Sequence, residues 1–299
     1  MLMPVKNLRF IIFFFSAAFS ACVFSETETI SNNVGNDSDD SFWLLEDYQP
    51  LFNSLWLYGG IDEESGGYYG LSSQLAINTS VYFDLSATQQ NYDFKTDDFS
   101  WGFSSKLSEQ FNWAVSRTFW GQKDTLEKTD SRFSVSYFSE NFTSRLSYET
   151  GKVELFFNQP SLLQINSLTS DHKAIELSLG YSWQQIYSEL RYKQHDYQAR
   201  QPELVRRPIV FSLVNSIGLQ QARNLAAREA AVLIGLQQHT VSYELLFSQI
   251  DSAFSDERFT YASLSLLKAL NSQWQTGINI EIPLDEGLFT AGISLGYRW

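Results

Sequence analysis

From about Phe52 to the C-terminus, every second side chain in run after run is apolar or aromatic, and the residues between are small or polar. A two-residue period is the signature of β-strands with one apolar face, because successive side chains leave a strand on opposite sides. The last run shows it well. Phe289, Ala291, Ile293, Leu295, Tyr297 and Trp299 alternate with Thr290, Gly292, Ser294, Gly296 and Arg298. A second run sets Ile175, Leu177, Leu179, Tyr181 and Trp183 against Ala174, Glu176, Ser178, Gly180 and Ser182. Beyond residue 25 no stretch approaches the roughly 18 uncharged apolar residues of a spanning helix. If the chain crosses a membrane, it does so with strands.

The pattern predicts about 14 strands, near 52–60, 68–77, 80–92, 97–107, 110–120, 128–138, 141–157, 171–183, 185–198, 226–237, 239–250, 256–269, 271–281 and 286–299. Twelve is the alternative, if the 226–250 region pairs differently. Tight connections fall at Asn78-Thr79, Ser108-Glu109, Glu140, Gln184, Gln238 and Asn271, and longer ones at 61–67, 93–96, 121–127, 158–170, 199–225, 251–255 and 282–285. Short and long connections therefore alternate. An up-and-down membrane barrel has short periplasmic turns and longer outer loops, whereas a soluble sandwich has no reason to keep that parity. The expected fold is an all-β, transmembrane, antiparallel up-and-down barrel over residues 51–299.

The first 25 residues are of another kind. Lys6 and Arg9 precede an apolar run from Phe10 to Phe24, the layout of a secretory signal peptide, with cleavage expected after Ser25. Cys22, the one cysteine, lies inside this segment, in a Phe-Ser-Ala-Cys stretch that loosely resembles a lipoprotein acylation box. Removal of Lys6 and Arg9 takes the 21 basic residues to 19 against 34 acidic ones, and the net charge from −13 to −15. That balance argues against nucleic-acid binding, which needs a basic footprint. A mature chain without cysteine has no disulfide and no thiolate metal site. Residues 26–50 carry seven acidic residues and no basic one, and read as a solvated, disordered periplasmic tail.

The final stretch, Gly287 to Trp299, resembles the terminal strand of bacterial outer-membrane β-barrel proteins, which end on an aromatic with apolar or aromatic residues at alternate positions before it. The resemblance identifies a broad class and no particular family. It implies that Ile293, Leu295, Tyr297 and Trp299 form the insertion signal read by the barrel-assembly machinery, and that the protein resides in the outer membrane. Lipid and lipopolysaccharide are then its surroundings. Trp113, Trp183, Trp274 and Trp299 fall at periplasmic strand ends and Trp120 at an outer end, where aromatic residues gather between hydrocarbon and headgroups.

The alternate face carries charge: Asp84, Glu149, Glu176, Glu189, Glu244 and Glu281 against Lys106, Arg132, Arg145, Arg191, Lys193 and Arg298. Facing lipid at mid-membrane, each Arg or Lys would cost roughly 2–4 kcal/mol, so this face is expected to line a polar lumen. Such a set can border a water-filled channel or fill a narrow barrel with ion pairs. Arg117 and the pair Leu264 and Leu266 break the expected phase, which suggests local bulges or an error in the assigned register. The 199–225 segment is long for a loop, apolar from Ile209 to Leu219, and a candidate helix after Pro208. Its Arg200, Arg206, Arg207 and Arg223 suit a constriction, a grip on lipopolysaccharide phosphates, a docking surface, or a loop paired to wall carboxylates.

Catalytic signals are weak. Asp171-His172 and His195-Asp196 are adjacent pairs whose members point to opposite faces of a strand, and His172, His195 and His239 read as loop-tip residues without a role. No cofactor, catalytic or metal motif is found, and the expectation is a non-enzyme. The first functional reading is a porin-like channel for small polar solutes. A non-conducting barrel serving envelope assembly, lipopolysaccharide contact or partner docking is the second, and a membrane-embedded hydrolase the third.

Overall fold

The computed structural model describes residues 53–63, 66–91, 95–156, 167–199, 225–253, 257–285 and 289–299. Fourteen strands form in chain order: β1 (Ser54–Asp62), β2 (Gly67–Ala76), β3 (Val81–Asn91), β4 (Lys95–Lys106), β5 (Phe111–Gln122), β6 (Leu126–Phe138) and β7 (Phe142–Phe156). They continue as β8 (Ser167–Trp183), β9 (Ile186–Ala199), β10 (Ala226–Gln238), β11 (Val241–Ser252), β12 (Arg258–Ala269), β13 (Trp274–Pro283) and β14 (Thr290–Arg298). Each pairs antiparallel with its sequence neighbours, and β1 pairs with β14, so the sheet closes with no free edge. The up-and-down barrel expected from the alternation is what forms, with 14 strands and not 12. Trp299 completes the seam, exchanging two 3.2 Å backbone hydrogen bonds with Asn53.

The tight turns owe their shape to their residues. Asn78 and Asn271 each accept two backbone N–H bonds through the side chain, as Ser108 does through its hydroxyl. Gln184 and His239 adopt φ of 54° and 48° in two-residue hairpins, the left-handed geometry that matches strand twist. The connection expected at 121–127 is shorter than foreseen, because β5 and β6 extend into it and leave only Lys123–Thr125.

Large apolar side chains stand exposed on the outside of the barrel, among them Leu57, Leu71, Leu146, Ile175, Leu190, Val232, Leu264 and Ile293. In water such a surface would aggregate; in a bilayer it is the solvated face. At the periplasmic end the outside becomes aromatic: Phe83 packs on Phe103 (ring centroids 5.1 Å apart), Phe111 on Tyr137 (5.1 Å) and Trp274 on Tyr297 (4.6 Å). This is a girdle of the kind outer-membrane barrels carry.

Three expectations need correction. Leu264 and Leu266 fall in phase on the outer face, with Ser263 and Ser265 inward, so no bulge is needed there. Arg117 also points outward, at the middle of β5 in register with Ser131, with its guanidinium carbon 5.3 Å from the centre of the Phe119 ring one row further out, so its long side chain can run toward the outer headgroups. Trp120 lies at an outer end but faces inward, against a buried cluster of Leu126, Val153 and Leu225.

The wall is not of even height. β1, β2, β13 and β14 have 9 or 10 residues, whereas β6, β7, β8 and β9 have 13, 15, 17 and 14. The long strands sit diametrically across the barrel from the β1–β14 seam. On them the outward face turns from Phe133, Tyr148 and Ile175 to Ser131, Thr150 and Lys173 one row further out, so the tall side stands clear of the apolar band.

Candidate functional site

The strand register builds the lumen's most organised region from two adjacent rows of the tall wall. One row runs Asp130, Gly151, His172, Tyr197 across β6 to β9, and the row beneath runs Arg132, Glu149, Ala174, His195. Each row places a small residue beside a long one. With no side chain at Gly151, Asp130 reaches across β7 to His172, and Ala174 leaves space for His172 and His195 to meet diagonally.

The result is a chain of polar contacts spanning five strands. Asp130 Oδ1 lies 2.6 Å from His172 Nδ1, His172 Nε2 lies 2.9 Å from His195 Nδ1, and His195 Nε2 lies 2.7 Å from Glu229 Oε1. The His172 side chain is fully buried, and Tyr197 stacks on it with ring centroids 4.8 Å apart. Charge-assisted bonds to the carboxylates place a proton on His172 Nδ1 and another on His195 Nε2. The two remaining ring nitrogens then face each other with lone pairs. Neutral imidazoles carry one proton each, so the 2.9 Å contact closes as a hydrogen bond only with one further proton in the chain, and without it the two lone pairs can share a metal cation.

Ion pairs surround this chain. Lys128 meets Asp130 at 2.8 Å and Glu149 at 3.7 Å, Lys193 meets Glu149 at 3.1 Å, and Arg132 bridges Glu149 (3.8 Å) and Glu176. Further toward the periplasm, Glu189 accepts from Ser178 at 2.6 Å and from Arg191 at 3.1 Å. Glu244 accepts from the Tyr187 hydroxyl at 2.7 Å, and Asp84 accepts from Gln74 at 2.9 Å. Lys106 borders a recess with Gln74, Tyr82 and Asn112, while Arg145, Glu281 and Arg298 stand on the inward face of β7, β13 and β14. All twelve charges read from the alternation therefore lie on the inward face; the register brings Arg132, Glu149, Glu176 and Lys193 into one network and pairs Glu189 with Arg191. Asp62, Asp98, Lys128, Asp130 and Glu229 join them on that face, which gives three more acids than bases among the described strand residues.

His172 and His195 are not loop-tip residues, in contrast to His239, which does sit in a turn. Their adjacent acids, Asp171 and Asp196, do point away; the partners come from other strands. The usable signal was that His195 shares a face with Arg191 and Lys193. Arg200, Arg206, Arg207 and Arg223, with the candidate helix after Pro208, lie outside the described residues, as do Cys22, the leader at 1–25 and the tail at 26–50.

The wall across the lumen is built differently. At the seam, aromatic side chains of β1 and β2 lie over inward-facing glycines of β14, β1 and β2. Trp56 lies over Gly296, Tyr58 over Gly70, and Tyr68 over Gly60 and Gly292. Tyr58 donates to or accepts from Thr88 at 2.7 Å.

No family model matches the chain, and no curated protein does. Among solved structures it is similar to the KdgM porin in complex with disordered oligogalacturonate (8% identity, 82% of this chain and 99% of that one, TM-score 0.45). It is also similar to an anion-selective porin from Comamonas acidovorans (9% identity, 83% and 96%, TM-score 0.43). OmpTdeltaL8, a loop-deleted outer-membrane protein of Vibrio cholerae, is a third (9% identity, 83% and 98%, TM-score 0.45). These superpositions are too loose to transfer a solute or a site, and the barrel of outer-membrane type stands on this chain's own strand pairing and surface.

Proposed function

We infer that the protein is a passive, porin-like channel of the outer membrane for small polar solutes, with a weak preference for cations. The observation that carries this reading is the lumen: every described element belongs to the wall, and the face it turns inward is polar and charged. Fourteen strands spaced about 4.8 Å apart and tilted about 40° close on a backbone radius of roughly 14 Å. Inward side chains narrow that bore, and those at the seam lie over glycines, which keeps their bulk near the wall. The excess of three acids favours cations through the field of the lumen.

Purified protein reconstituted in planar bilayers should open in ohmic steps. In a KCl gradient the reversal potential should take the sign of K⁺ passing more readily than Cl⁻. Bilayers that stay sealed at every voltage would remove the channel reading, and anion selectivity would remove the charge argument alone.

A further inference from the structure

The geometry points to a divalent transition-metal site in the tall wall, held by His172 Nε2, His195 Nδ1 and the carboxylate of Glu149, a role separate from solute passage. The three residues are buried, and one ligand atom from each lies within 4.8 Å of the others. Glu149 Oε2 is held by Lys193 at 3.1 Å with Arg132 at 3.8 Å, while Oε1 lies 3.7 Å from Lys128 and 3.6 Å from His172 Nδ1, so the carboxylate must turn along that ring toward Nε2 to complete the shell.

Two features separate this cluster from an ordinary polar patch. Histidines that bind metal donate their other ring N–H to a carboxylate, which fixes the tautomer and aims the free lone pair. Both histidines here do so, His172 to Asp130 at 2.6 Å and His195 to Glu229 at 2.7 Å, leaving the opposed nitrogens as a matched pair of ligands. The second feature is charge. With both rings neutral, Asp130, Glu149, Glu176 and Glu229 outweigh Lys128, Arg132 and Lys193 by one, so a cation between the rings offsets an imbalance already present.

Nitrogens 2.9 Å apart, each about 2.1 Å from a metal, subtend about 90° at it, the angle of tetragonal or octahedral sites. A tetrahedral ion needs them about 0.5 Å further apart, which a small turn of either ring supplies. Two imidazoles and one carboxylate suit Zn²⁺, Ni²⁺, Co²⁺ or Cu²⁺, and not Mg²⁺ or Ca²⁺, which take oxygen shells. The Glu229 side chain is 38% exposed, so the ion reaches the cluster from the lumen.

The test is calorimetric titration of the untagged, folded full-length protein in detergent, stripped with chelator, using ZnCl₂ and NiCl₂ separately with MgCl₂ as control. About one Zn²⁺ or Ni²⁺ per barrel is expected. His172→Gln and His195→Gln should each abolish binding, Asp130→Asn and Glu229→Gln should weaken it roughly 10–100-fold, and His239→Gln should leave it unchanged. Heat-modifiable migration on gels confirms that each variant is folded. Should the histidine variants not fold, X-ray absorption of the Zn²⁺- or Ni²⁺-loaded wild type should show two imidazoles in the shell. Absence of Zn²⁺ and Ni²⁺ binding by the folded wild type, which would leave a shared proton as the only occupant, overturns the proposal. So does binding that survives both histidine changes, or a shell with fewer than two imidazoles.

Discussion

Gly151 should be among the least replaceable residues of the wall. A Cβ at that position would fall closer than any real contact to the Thr129 carbonyl and to Asp130 Oδ1, and 2.8 Å from Asp130 Cα. The first is backbone and cannot swing aside, so Gly151→Ala must part β6 from β7 locally and push Asp130 off His172. The break costs the hydrogen bond between the Asp130 carboxylate and a fully buried imidazole, about 1.5–3 kcal/mol, while Asp130 keeps its ion pair with Lys128 at 2.8 Å. Gly180 supplies the comparison. It too is inward, on β8, but a Cβ there meets chiefly the Thr143 hydroxyl, with the nearest backbone atom 3.6 Å away. A rotamer change at Thr143 relieves that contact for about 1 kcal/mol. Unfolding of both variants in urea, followed by tryptophan fluorescence and heat-modifiability, should put Gly151→Ala well below wild type and Gly180→Ala close to it. Equal stability of the two variants would refute the account of Gly151 as the gap through which the cluster forms.

Two further outcomes follow from the wall and the seam. Arg132→Glu sets a third carboxylate beside Glu149 and Glu176 in the lumen, so the reversal potential in a KCl gradient should move further toward cations; no movement would mean that ions do not pass the tall wall. Deletion of Trp299 removes the residue that pairs with Asn53 to finish the seam, so export should proceed while outer-membrane folding slows, seen as a protease-sensitive, heat-unmodifiable band; a folded soluble periplasmic species would contradict the barrel.

The strands were legible because a two-sided wall imposes period two on every residue of it, and because Asn78, Ser108 and Asn271 announce the turns between them. Inward charges were legible for the same reason: parity alone assigns Asp84 or Lys193 to a face. What parity cannot supply is register. Asp130 and His172 are 42 positions apart and Glu229 and His195 are 34 apart, and only the pairing of β6 through β10 brings them together. The histidines looked idle because each was weighed against its sequence neighbour, Asp171 or Asp196, which the strand turns the other way. Trp120 was misassigned by the converse error, placed by depth along its strand when its face was the deciding property. Gly151 carries no local sign of its role, since the atoms it makes room for belong to strands on either side.

Glycine placement also explains why the two sides of the lumen differ. A glycine in a strand lets a long side chain from the next strand lie across it. At the seam the crossing chains are Trp56, Tyr58 and Tyr68, and they lie against β14, β1 and β2, keeping bulk near the wall and covering backbone where the first and last strands meet. On the tall wall the crossing chain is Asp130, and what it reaches is a histidine two strands away. That side needs cross-strand ties most, because above Phe133, Tyr148 and Ile175 its outer face is polar and no bilayer presses on it. The chain from Asp130 to Glu229 links β6, β8, β9 and β10 there, and Glu149 brings in β7 through Lys128 and Lys193. A barrel with walls of even height would have no use for such a brace, and its position on the four longest adjacent strands and the next is what that reasoning requires.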